Sequence, residues 1–346
     1  MGNSKGGTCT DMGNSERSSV KRRARTARGG YDDGREGPGR VMDAYDLKAL
    51  FAFREHIASL PREAFLSILT PMPPVTRVAL LPGSFNPPTS AHLLLAERAL
   101  GERFDAVVFV LARETAGKRR TGLLLEDRLL SLRSIAPRGT AVAVTSASLY
   151  CDQAEAAAAA LPGAEISILV GSDKLEQIFD AAWYVDRDAA LGRLFGAARL
   201  VVAPRGDGAD AVTRLLEERG NGRWAGKVDV LPLHPAVGDL SSTRVRGLLT
   251  SGADPSGLMP APVAELIAEL GAFSPADPDT GADRYALRAG LLDALWQARD
   301  WAVASADLAA LVRIAADPGG EGGRLREMLR TGAAGARELL AAQRTP

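Results

Sequence analysis

From Arg77 onward the chain alternates short apolar runs with longer stretches of helical period. The apolar, β-branched runs are "RVALLPG", "DAVVFVLA", "TAVAVTSA", "EISILVG", "ARLVVAPR" and "KVDVLPL". Between them, the spacing predicts helices over 90–102, 126–135, 153–160, 174–193 and 209–219. Near-continuous apolar strands separated by helices predict a parallel sheet buried on both faces, hence a doubly wound α/β architecture.

The ends of the chain follow other patterns. Leu47, Leu50, Phe51 and Ile57 recur at helical spacing, so "DAYDLKALFAFREHIASL" reads as one amphipathic helix with His56 on its polar, surface side. "PMPP" at 71–74 breaks the chain before the α/β segment. After Phe273, "SPADPDTGAD" reads as a linker, and residues 284–316 and 324–342 as helices split by "DPGGEGG". Leu287, Leu291 and Leu295 share a face with Trp296 near its edge. That face could pack on the domain or mediate a homo-oligomer, and packing on the domain is the simpler expectation. The expected division is a disordered tail (1–40), an N-terminal helical extension (41–75), the α/β domain (76–273) and a C-terminal helical extension (281–346).

Composition narrows the function class. With 346 residues, 46% of them hydrophobic, a large core can form. Lys plus Arg and Asp plus Glu both number 42, so no overall field points to nucleic acid or to a membrane surface. Cys9 and Cys151 lie in unrelated segments, which suits the reducing cytoplasm and argues against a disulfide framework or a thiolate metal site. Residues 1–40 hold almost no large apolar side chains and cannot offset the entropy of ordering. Their "KRRARTARGG" cluster reads as a solvated arm, and "MGNSKG" departs from a myristoylation signal at Gly6.

Three stretches carry candidate chemistry at strand-to-helix junctions, where open α/β sheets bind ligands. In "LPGSFNPPTSAHLLL", Gly83 permits a tight turn and a ligand's close approach, and Pro87 and Pro88 end the strand. Thr89 or Ser90 caps the next helix, whose free N–H groups suit a phosphate. His92, one of only three histidines, sits in that first turn. Spacing alone leaves it either donating to a phosphoryl oxygen or packing behind the cap. In "LSSTRVRGLL", Ser241, Ser242 and Thr243 open another helix, and Arg244 and Arg246 stand in its first turns. Positive charge there opposes the helix dipole, which is more easily explained if an anion visits. In "ILVGSDKLEQIFDAAW", Gly171 permits close approach, and Asp173 could accept from a ribose hydroxyl or act as an N-cap. Trp183 could stack on a base or pyridine ring, although core packing is its default role.

Together these stretches resemble the histidine-motif nucleotidyltransferases, specifically the nicotinate or nicotinamide mononucleotide adenylyltransferases. "GSFNPPTSAHL" is similar to that family's first signature, "LSSTRVR" to its closing Ser-Ser-Thr-x-x-Arg signature, and "GSDKL" to its Gly-x-Asp-x-Leu segment. "LMPAPVAELIAELGAF" resembles the helix that ends the domain, so the likeness spans about residues 76–273. It implies a Rossmann-like fold and transfer of AMP from ATP, with Mg²⁺, to a phosphorylated acceptor, releasing pyrophosphate without a covalent enzyme intermediate.

By the same resemblance, His92, Lys118 and Arg246 form the catalytic group. Gly83, Ser84 and Phe85 line the nucleotide loop beside Thr89, Ser242 and Thr243 hold the triphosphate, and Gly171 and Asp173 meet the ribose. Arg128 and Trp183 belong to the acceptor. "LYCDQAEAAAAA" stands where the family has a Tyr-Thr-x-Asp-Thr stretch, and Asp127-Arg128 where it has a His-Arg pair. The reaction type is therefore better supported than the choice between nicotinate mononucleotide, nicotinamide mononucleotide and another acceptor. The competing reading is a regulatory ATP-binding protein that lost its acceptor site. No Walker A loop, no dinucleotide Gly fingerprint and no Gly-x-Ser-x-Gly elbow is present, and His56 and His234 lack metal-ligand spacing.

Overall fold

The computed structural model describes residues 44–61, 63–113, 122–204, 208–218, 220–232, 240–276, 283–298, 308–317 and 319–330. The expected tail (1–40), Cys9, Lys118 and His234 lie outside the described residues.

The six expected strands form, as β2 (Arg77–Gly83), β3 (Ala106–Ala112), β4 (Thr140–Thr145), β5 (Glu165–Gly171), β6 (Arg199–Ala203) and β7 (Val228–Val230). All six are parallel. A short edge strand, β1 (Leu66–Ile68), joins β4 antiparallel and completes the order β1-β4-β3-β2-β5-β6-β7. With only three residues it offers no period to read. Central β2 pairs with β3 on one side and β5 on the other, Val78 facing Ala106 and Ile166. The chain runs outward from β2 through β3 to β4, then returns to continue from β5 to β7. The winding therefore reverses between β2 and β5, and the carboxyl ends of these strands are where open α/β sheets bind ligands.

Alternate residues of the strands feed two cores. Val78, Leu80, Val108, Val110, Ile166 and Ile168 pack on one face against α4 (Tyr150–Ala160), α5 (Ser172–Phe179) and α6 (Arg187–Ala197). Ala79, Leu81, Val107, Phe109, Val142 and Leu169 pack on the other against α2 (Ser90–Glu102) and α3 (Leu125–Ile135). The continuous helix expected over 174–193 is instead three pieces. Asp180 takes the Ala182 N–H at 2.9 Å and starts a 3₁₀ turn, Ala181–Trp183, and Asp186 takes the Ala189 N–H at 2.9 Å and starts α6. Each carboxylate satisfies an orphan helix donor and so favours a new start over continuation. Helix α7 (Gly208–Glu217) follows β6.

The extensions form a third core. Leu47, Leu50 and Phe51 of α1 (Leu47–Ser59) meet Leu266 and Ile267 of α9 (Ala261–Leu270) and Leu291, Leu292 and Leu295 of α10 (Arg284–Ala298). Leu130 of α3 belongs to the same cluster, and Phe51 meets Trp296 edge-on at 5.6 Å. The leucine face of the C-terminal tail thus packs on the chain's own helices. Helix α8 (Ser242–Thr250) precedes α9, and α11 (Leu308–Ala316) and α12 (Gly320–Arg330) are the last described elements. Helix α12 begins inside the glycine-rich stretch expected to interrupt it. Arg326 anchors that corner by donating to the carbonyls of Ala315 at 2.5 Å and Asp317 at 2.9 Å. His56 is half-buried rather than a surface residue, and burial lowers its pKa, because α1 packs on two sides through Leu50 and Phe53. Among the described residues, no helix is long and apolar enough to cross a membrane.

If the extensions belong to one cooperative unit with the sheet, Leu292→Ala, at a fully buried α10 position, should cost about 2–5 kcal/mol. Urea unfolding should remain a single transition at a lower midpoint. A separate early transition, or no shift, would mean that the extensions fold apart from the sheet.

Candidate active site

The loop after β2 is built around Phe85 and Asn86. Phe85 has a left-handed backbone (φ 44°), and its ring is fully buried, edge-on to Phe109 at 5.6 Å and to His92 at 5.0 Å. A Cβ on Gly83 would lie 2.8 Å from that ring. The space that Gly83 was expected to leave for a ligand is therefore filled by Phe85, and the glycine serves packing. Ser84 is exposed beside it.

Thr89, buried, is the N-cap of α2, with His92 at the third helical position. The Thr89 backbone N–H donates to His92 Nδ1 at 3.0 Å, and the Thr89 hydroxyl lies 2.8 Å from the same nitrogen. A nitrogen that accepts a backbone N–H carries no proton, so this partnership assigns neutral His92 to the Nε2–H tautomer. The capping reading of His92 is the one this contact bears out.

Helix α8 is bolted to the same loop. The Ser242 hydroxyl donates to the Pro87 carbonyl at 2.8 Å, and Arg246 Nη1 donates to the Asn86 carbonyl at 2.6 Å. Arg246 Nη2 reaches Thr243 Oγ1 at 3.2 Å, and Ser241 caps the helix by accepting the Arg244 N–H at 3.2 Å. From the other flank, Leu123 N–H donates to Asn86 Oδ1 at 2.8 Å. Gly122 has φ 87°, and a Cβ there would meet Asn86 Oδ1 at 2.5 Å, so only glycine fits. Arg128 folds back from α3, its Nε donating to the Leu123 carbonyl at 3.0 Å and its Nη1 to the Ser84 carbonyl at 3.4 Å.

The structure thus joins Gly83, Ser84, Phe85, Thr89 and His92 to Ser242, Thr243 and Arg246 on one flank and Arg128 on the other. Gly171 ends the neighbouring strand and is itself the N-cap of α5, so Asp173 is not the cap but an exposed carboxylate in the first turn. Trp183 is 53% exposed, which overturns the core-packing default. Two helix starts and the guanidinium groups of Arg128 and Arg246 are thus gathered around one loop, a chemistry suited to anions.

Asn86 and Tyr150 escaped sequence reasoning. Pro87 and Pro88 have no N–H, so the loop's polar ties fall to Asn86, a signal available in "NPP". Tyr150 opens α4, and burial, with the Asp173 charge next in weight, pushes its phenol up to about 12, so it remains a neutral donor beside the α5 start. It lies within the "LYCDQ" stretch that resisted comparison.

Residues 80–248 match a family model described as cytidylyltransferase-like. A probable nicotinate-nucleotide adenylyltransferase of Anaeromyxobacter dehalogenans is 32% identical over 209 residues, covering 57% of this chain and 96% of that protein. One from Gemmatimonas aurantiaca is 28% identical over 205 residues, covering 57% of this chain and 92% of that protein. Among solved structures, Plasmodium falciparum nicotinic acid mononucleotide adenylyltransferase complexed with NaAD covers 56% of this chain and 95% of its own, at 15% identity and a TM-score of 0.44.

Asn86→Ala should leave the Leu123 N–H without its acceptor and destabilise the chain by about 1–3 kcal/mol in denaturant titration. An unchanged midpoint would show that Asn86 does not tie the loop to α3.

Proposed function

The chain belongs to the nicotinate-nucleotide adenylyltransferase family, and we propose that it joins the AMP moiety of ATP to a nicotinate mononucleotide-type acceptor in NAD biosynthesis. The observation that carries this reading is the Thr89–His92 pairing, in which His92 Nδ1 accepts the Thr89 N–H in the first turn of α2, next to the loop that follows β2. In the proposed reaction an oxygen of the acceptor's 5′-phosphate attacks the α-phosphorus of ATP. The bond to the bridging oxygen breaks, and pyrophosphate leaves with the electron pair. Catalysis of this kind rests on positioning and on stabilising the charge that builds on the phosphoryl oxygens.

We assign that stabilisation to the Nε2–H of His92, and the triphosphate to the α8 start with Ser242, Thr243 and Arg246. Lys118, in the segment between β3 and α3, is assigned to the same phosphates on the resemblance alone. Asp173 would take a ribose hydroxyl, and Gly171 would let the sugar approach. We assign the acceptor to Arg128 of α3 and its pyridine ring to the exposed Trp183. The catalytic domain is taken as residues 76–273, with the helical extensions outside it.

Among the described residues, no group of three or more His, Cys, Asp or Glu is placed to hold a metal. The protein offers Mg²⁺ no cage there, so the ion is proposed to travel on the phosphates of ATP, and no step is routed through it. The partners of this reading are small molecules rather than nucleic acid or a membrane. A free, buried Cys151 suits a cytoplasmic setting.

Pyrophosphate release by the full chain with ATP and Mg²⁺ tests the reading. Nicotinate mononucleotide should be the productive acceptor among pyridine mononucleotides, FMN, phosphopantetheine and sugar phosphates. Silence with both pyridine mononucleotides while ATP binds would favour a nucleotide sensor instead. His92→Ala should lower turnover about a hundred- to a thousandfold with folding retained, and full activity would remove its role. Arg246→Ala should weaken ATP binding, which calorimetric titration would read.

A further inference from the structure

The first turn of α3 carries two buried acids, Glu126 and Asp127, each held by an arginine from outside the 80–248 match. Arg288 of α10, fully buried, donates to both Asp127 oxygens at 2.9 and 3.0 Å. The same guanidinium donates to the Ala44 carbonyl, ahead of α1, at 2.5 and 3.2 Å. Arg54 of α1 donates to Glu126 at 2.5 Å and pairs with Asp293 of α10 at 2.8 Å. Tyr285 completes the cluster: its hydroxyl donates to Asp127 at 2.5 Å and accepts the Leu124 N–H at 2.7 Å. Burial pushes the Asp127 carboxyl up, and the Arg288 guanidinium opposes that rise without cancelling it.

Buried charges are a poor source of net stability against an apolar packing of similar volume, so their placement calls for another account. The placement itself supplies one. Leu123 and Leu124 are consecutive residues; one donates to Asn86 of the phosphate loop and the other to Tyr285 of the extension. Arg128, one residue past Asp127, reaches back to Leu123 and Ser84. The start of α3 is therefore fixed between the phosphate loop and the two extensions.

We propose that the terminal extensions belong to the acceptor side of the enzyme: Arg288 and Tyr285 are positioning residues that, through Asp127 and Leu124, set the α3 start and aim Arg128. The proposal rests on the reaction proposed above. Removing the Tyr285 hydroxyl frees the N–H of the very peptide group, Leu123–Leu124, whose carbonyl anchors Arg128, without deleting the Arg288–Asp127 contact, whereas changing Arg288 strands a buried carboxyl and risks unfolding.

The test uses full-chain Tyr285→Phe, with Arg288→Lys as the second variant. Kinetics should show KM for nicotinate mononucleotide raised about tenfold while KM for ATP stays within about twofold. Equal changes in both constants, or none, would overturn the proposal and leave the cluster structural. Hydrogen exchange supplies a readout independent of activity. In Tyr285→Phe, faster exchange should reach beyond Leu124 to the Leu123 amide, whose partner is Asn86, and to Ser84–Asn86. A change confined to Leu124 would contradict the coupling. An inactive wild-type chain would defeat the proposed reaction, and the exchange pattern would still decide whether the extensions govern the α3 start.

Discussion

The polar atoms of one asparagine hold the site together. Asn86 offers its side-chain oxygen to the α3 flank and its backbone carbonyl to Arg246 on the α8 flank. Two prolines follow it and supply no donors, so the loop depends on these ties and on the Ser242 bond to Pro87. The left-handed Phe85 immediately before it buries a ring under His92. Strain of that kind persists only where the surroundings over-determine it. Here the surroundings are the sheet core below and two helix starts at the sides.

Under the proposed reaction, this arrangement would let a chain with balanced charge hold a polyanion. Its field is local: helix starts collect where the winding reverses, and Arg128 and Arg246 converge on the loop's carbonyls. In the described form both guanidinium groups are bound to backbone oxygens. Under the proposed reaction, a phosphate reaching this loop would meet groups already positioned rather than groups that must be ordered first.

Much of this was legible before the structure. Strands of alternating neighbours are continuous apolar runs, and helix α2 begins at its predicted residue because Thr89 and Pro88 mark the boundary. The signatures around His92 and Arg246 lay in sequence at opposite ends of the domain and meet in space through Asn86 and Pro87. Other features were hidden for physical reasons. The helix expected over 174–193 breaks at Asp180 and Asp186, where capping competes with propensity. Gly83 was read as room for a ligand, whereas a side chain two residues on fills that room. The partnership of Asp127 with Arg288 joins residues 161 positions apart, and nothing local in either stretch announces it. Buried arginines are rare enough that α10 reads as an ordinary amphipathic helix.

The account turns on the protonation of one ring. The most direct measurement is the nitrogen-15 spectrum of the His92 imidazole in the full chain, a tractable assignment with three histidines in the sequence. The account predicts an Nδ1 that accepts and an Nε2 that carries the proton, and an Nε2 resonance that shifts when ATP is added. An Nδ1–H tautomer, or an Nε2 signal indifferent to ATP, would contradict the role assigned to this histidine.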